Sequence, residues 1–71
     1  MILDDRDVTN REVRAIEEFQ KAIMLDPTLA IAHAGLGEAL TVSAGLASGT
    51  KSEEFYIKAK IAIERALKLT A

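Results

Sequence analysis

Cysteine and tryptophan are absent from this 71-residue chain, and proline occurs once. Without cysteine there is neither a disulfide framework nor a thiolate metal site, and nothing in the composition demands an oxidising compartment. No basic cluster is present either. Nine Lys and Arg are interspersed with eleven Asp and Glu for a net charge of −2, which argues against a nucleic-acid partner, since that needs a concentrated positive face. No apolar run approaches the ~20 residues that span a bilayer, so no membrane association is expected. The first seven residues, Met-Ile-Leu-Asp-Asp-Arg-Asp, place no basic region ahead of an apolar one. No signal peptide is therefore read there, and a cytoplasmic setting is the expectation. Strand signals are missing as well. A chain this short is one small domain that buries only about 60% of its unfolded surface.

What is present is helical periodicity. Between Val13 and Leu25, residues Ala15, Ile16, Phe19, Ala22 and Ile23 fall on one face at a period of 3.6, and Arg14, Glu17, Glu18, Gln20 and Lys21 fill the other. Thr9 and Glu12 have capping-box spacing, which predicts a first helix over about residues 10–26. Pro27 ends it, because the residue before proline is pushed out of the helical region. Asp26-Pro27 suits the start of the next helix, an acceptor followed by proline in the first turn. That second helix, about 28–46, carries only Glu38 as a full charge. An element apolar nearly all round belongs between two neighbours. Its Gly35 and Gly37 each cost about 1 kcal/mol of helix propensity against Ala, and close helix packing is the reason expected for them. Thr50 and Glu53 repeat the capping-box spacing, so a third helix is predicted over about 51–70, with Phe55, Tyr56, Ala59, Ile63, Ala66 and Leu67 facing inward. Residues 1–9 read as a flexible acidic tail, and 10–71 as the helical domain. Asp4, Asp5 and Asp7 lack the Gly and Glu of a calcium loop, so they read as solvated rather than metal-binding.

The residues at the first turn resemble the tetratricopeptide repeat (TPR), a helix-turn-helix unit of 34 residues patterned W-x-x-L-G-x-x-Y, then A-x-x-x-F and a closing Pro. Ala15, Phe19, Ala22 and Pro27 match its second-helix half in type and spacing. Leu36, Gly37 and Leu40 match the first-helix half of a following repeat, with His33 in place of the Trp and Leu40 in place of the Tyr. Ala59, Ile63 and Ala66 repeat the second-helix half. The resemblance covers about one and a half repeats and implies an all-α, antiparallel three-helix array of the α-α superhelix kind. It departs from the family in one respect: Ala15 and Ala59 are 44 residues apart, which leaves a ten-residue insertion at about 42–51. The simplest expectation is that the insertion lengthens both flanking helices into a tall hairpin, around a loop at Gly45–Lys51. Most of a preceding first helix is missing from the pattern, and no polar capping helix follows Ala66.

The resemblance implies a non-catalytic module for protein–protein interaction, an adaptor or scaffold that takes a peptide or helix on an apolar groove, without a cofactor. Carried over from the family, the groove residues are Ile31, Ala34, Glu38, Thr41 and Val42. A second reading is a structural module that stacks into a homo-oligomer, for which Ile57 and Ile61 supply an apolar spot four residues apart. A third places a small-ligand or catalytic site at His33. It is disfavoured because Glu38 lies about 140° round the helix and no further His or Cys is available as a ligand. His33 is instead expected to pack half-buried where the family has Trp.

Overall fold

The computed structural model describes the backbone of residues 5–71 and the side chains from Thr9 onward. Three helices make up almost all of it: α1 (Asp5–Leu25), α2 (Ala30–Leu46) and α3 (Gly49–Thr70). The protein is all-α, with no strand among the described residues. No helix among those residues is long and apolar enough to cross a membrane.

The α1–α2 connection takes four residues. The Asp26 carboxylate accepts hydrogen bonds from the Thr28 backbone N–H (3.1 Å) and hydroxyl (2.7 Å), closing an Asx turn over Pro27. These two bonds, side chain then backbone, hold the Asp26 carboxyl below its usual value. The second helix begins later than expected, at Ala30 rather than residue 28. Its N-cap is Leu29, which makes no side-chain capping bond. Asp26 therefore builds the turn and does not cap the helix.

Both capping-box expectations fail for the same reason. Helix α1 is already under way at Asp5, so Thr9 lies inside it and not at its start near residue 10. The proposed acidic tail 1–9 thus divides: residues 1–4 lie outside the described part, and Asp5–Thr9 are helical. At the third helix the N-cap is Ser48, which puts Thr50 in the first turn and not at the cap. The Gly45–Lys51 loop shrinks to Ala47 and Ser48, with Gly49 at φ 61° turning the chain into α3. A left-handed φ costs an L-residue roughly 1–2 kcal/mol, which glycine avoids. The Ser52 hydroxyl, free of any capping duty, donates to the Ala44 carbonyl (2.8 Å) and ties the start of α3 to the end of α2. Residues 42–46 and 49–51 are helical, so the inserted stretch extends both helices.

Helix α2 is the spine. Its buried residues Ala32, Gly37, Ala39, Leu40, Ser43 and Ala44 face both neighbours, and α1 and α3 each pack on it with their described backbones held apart. The core is built of small side chains: Ala59, Ala62 and Ala66 of α3 close against α2, and no large side chain is fully buried. Two glycines mark the crossings. A Cβ at Gly37 would run into Ile63 and come within 3.4 Å of the Ala59 carbonyl oxygen, so the α3 backbone lies directly over it. A Cβ at Gly35 would overlap the ring of Phe19, which seats α1 on α2. Gly37 facing Ile63 and Ala44 facing Ser52 set α2 and α3 antiparallel.

The inner face of α3 differs from the expected one. Ala59 and Ala66 are buried, Phe55 is half-buried and Ile63, though 41% exposed, packs over Gly37, but Tyr56 and Leu67 are 53% and 64% exposed. Ala62 takes the inward position instead. With alanines at the contact, α3 sits too close to α2 for a ring of larger residues to fit between them, so those residues are displaced to the flank.

Candidate functional site

With α1 and α3 both packed on α2 and their backbones held apart, the two outer helices form the walls of an open trough. No Cα of α1 lies within 8 Å of one in α3 among the described residues. The trough consists of two depressions that share Ile16 and Phe55 at a waist. The larger, about 720 Å³, lies over the α2–α3 connection and is lined by Val13 of α1, Ser43 and Leu46 of α2, and Lys51 of α3. The other, about 580 Å³, lies toward the α1–α2 turn. Ile23 and Met24 form one wall there, Leu36 and Leu40 the floor, and Lys58, Ile61 and Arg65 the opposite wall.

The surface of this trough is mainly aliphatic, and much of it is open to solvent. Met24 is 82% exposed and Ile61 63%. Charge is unevenly placed on it. Among the described residues Glu17 is the one acid lining either depression, on the α1 side, whereas Lys51, Lys58 and Arg65 line the α3 side. None of these four is in a salt bridge: among the described residues the ion pair is Glu18–Lys21 (3.6 Å), both exposed. That pair replaces the Glu17–Lys21 pairing which i,i+4 spacing suggests.

His33 sits at the edge of the floor, half-buried, and its Nε2–H donates to the Pro27 carbonyl (2.9 Å). The hydrogen bond across the turn occupies the ring nitrogen on that side. Among the described residues no three His, Asp or Glu side chains gather as a metal-binding group, and no buried polar side-chain atom lacks a partner.

The five groove residues carried over from the TPR pattern lie elsewhere. Ile31, Ala34, Glu38, Thr41 and Val42 are all exposed and share one strip of α2. Glu38 lies between Leu36 and Leu40 in sequence, hence about 160° round the helix from each, so the strip faces away from the trough floor. None of the five lines either depression. Thr41 turns its hydroxyl back to the Gly37 carbonyl (2.8 Å), leaving Glu38 as the polar group of the strip that points outward. Ile57 and Ile61 are 61% and 63% exposed. Ile61 belongs to the trough wall and Ile57 lies outside it.

The sequence reading does not bring the trough residues together. The trough's signal was present in two places: the Ile16, Gln20, Ile23 flank of α1, and the seven-residue recurrence of Lys51, Lys58 and Arg65. Neither stands out without knowing that α1 and α3 stay apart. No protein-family model, curated protein or solved structure matches the chain.

Proposed function

We propose that this chain is a non-catalytic, TPR-like interaction module that receives a helix of another polypeptide in the trough between α1 and α3. One observation carries the reading: the floor and both walls present Ile, Leu, Met and Phe side chains in a channel that no further helix covers among the described residues. An amphipathic helix buries such a surface through anchors at i, i+3, i+4 and i+7. The channel is wide and open, as that mode requires, rather than a closed cavity shaped for a small molecule. The TPR resemblance supports the same class of function, although it points to the opposite strip of α2.

The test uses an 18-residue amphipathic helical peptide with a Leu stripe and uncharged polar residues, added to 15N-labelled protein. Amide shifts concentrated on Ile23, Leu36, Leu40 and Ile61 support the trough. Shifts concentrated on Ile31, Ala34, Glu38, Thr41 and Val42 would return the site to the strip named by the repeat pattern. Wall variants Met24→Lys and Ile61→Lys should each weaken binding at least about tenfold, equivalent to roughly 1.4 kcal/mol, while Ile31→Lys should leave it unchanged.

Self-association is the second reading, favoured by the exposure of Ile57, Ile61, Ile63 and Leu67 along one helix. Sedimentation at micromolar concentration separates the two, since a homo-oligomer that used these residues would dissociate on Ile57→Lys.

A further inference from the structure

From the row of cations on one wall, we infer that the trough selects an acidic helix, one whose flank facing α3 carries Glu or Asp at seven-residue spacing. The inference rests on the trough being a helix-binding site and adds the chemistry of its occupant. Lys51, Lys58 and Arg65 recur at i, i+7 and i+14 on α3, and all three line the trough. At 1.5 Å per residue the row is about 21 Å long, four turns of a helix lying alongside it. A helix laid parallel or antiparallel to α3 repeats its facing positions every two turns, so its carboxylates meet this row in register.

Two features of the charge distribution make the row more than a solvated face. The chain as a whole is acidic, at −2, yet among the described residues the trough lining holds three cations against Glu17. Helix α3 also carries Glu53, Glu54 and Glu64, none of which lines either depression. Nor is any of the three cations in a salt bridge among the described residues, so no internal bond has to break before a partner's carboxylates engage them. On the opposite wall, Gln20 and Met24 bring no charge. The asymmetry therefore fixes which flank of the guest helix is acidic and hence its rotation in the trough. Rim charges of this kind act mainly on selectivity and association rate, with the apolar floor supplying the affinity.

The experiment compares two 18-residue helical peptides that share the same Leu stripe, one with Glu and one with Lys at the three heptad-spaced flank positions. Affinity is read by fluorescence anisotropy at low and moderate salt. The Glu peptide should bind at least about tenfold tighter, and the preference should shrink as salt screens exposed charges. The triple variant Lys51→Glu, Lys58→Glu, Arg65→Glu should reverse the preference. All three side chains are exposed, so circular dichroism should show an unchanged helix content, and the single variant Lys58→Glu gives a partial reversal without relying on the triple substitution. Equal binding of both peptides, unaffected by charge reversal, would overturn the acidic-helix inference and leave the trough reading intact. Binding of neither peptide would overturn both. Binding to anionic vesicles in preference to the Glu peptide would also overturn the inference, because the row would then serve a lipid surface.

Discussion

At the residue scale, the glycines of α2 separate packing from propensity. Gly45 has open space where a Cβ would go, so Gly45→Ala should stabilise the fold by roughly 0.5–1 kcal/mol through helix propensity alone. Gly37→Ala gains the same propensity but drives a methyl into Ile63, whose β-branch restricts its escape, beneath the Ala59 carbonyl. Overpacking costs about 1–3 kcal/mol, and the balance should be a lower melting temperature. Gly35→Ala meets only the far end of the Phe19 ring, so its penalty should vanish in a Phe19→Ala background; thermal melts of the parent, the two single variants and the double variant give the coupling directly. Phe19 is half-buried, and Phe19→Ala should therefore fall at or below the low end of the ~3–5 kcal/mol seen for buried Phe. Ser52→Ala removes the bond to the Ala44 carbonyl at a part-buried site and should cost about 1 kcal/mol in chemical denaturation. For Asp26 the folded carboxyl is held below its ordinary 3.8. Its contribution is thus complete above that value and is lost as pH falls through the folded one. Asp26→Ala should flatten that part of the acid titration of stability.

At the scale of elements, the existence of three helices and the central place of α2 were legible in the sequence, and the boundaries were not. The stretch from Ala30 to Leu46, with Glu38 as its one charge, admits little except an element flanked on two sides, and Pro27 admits only a break. Thr9 and Thr50 misled because a capping-box spacing also occurs past the start of a helix: α1 is under way at Asp5, and α3 is capped at Ser48. The inner face of α3 was misjudged toward its larger residues. Hydrophobic periodicity weights Tyr56 and Leu67 above Ala62, but the α3 positions buried against α2 are Ala59, Ala62 and Ala66, with Ile63 lying against Gly37. The same closeness leaves exposed apolar groups on both flanks of α3. The site was illegible for a related reason. A trough depends on which helices fail to touch, and no local pattern in α1 or α3 records their separation.

At the scale of the whole molecule, the three helices form a single layer with α2 in the middle, apolar on the trough side and sparsely polar behind. Ile61→Lys, on a side chain already 63% exposed, should change monomer stability by less than about 0.5 kcal/mol while weakening whatever occupies the trough. A disulfide trap reports the separation of α1 and α3 itself, and the absence of native cysteine makes it unambiguous. Gln20 and Lys58 line opposite walls of one depression, on helices whose Cα atoms stay more than 8 Å apart, beyond the ~7 Å that a disulfide can bridge. With both replaced by Cys, the open trough requires the thiols to stay free of each other under mild oxidation, as titration and gel mobility would show. Rapid and complete intramolecular disulfide formation would mean that α1 closes onto α3, and no helix could then lie between them.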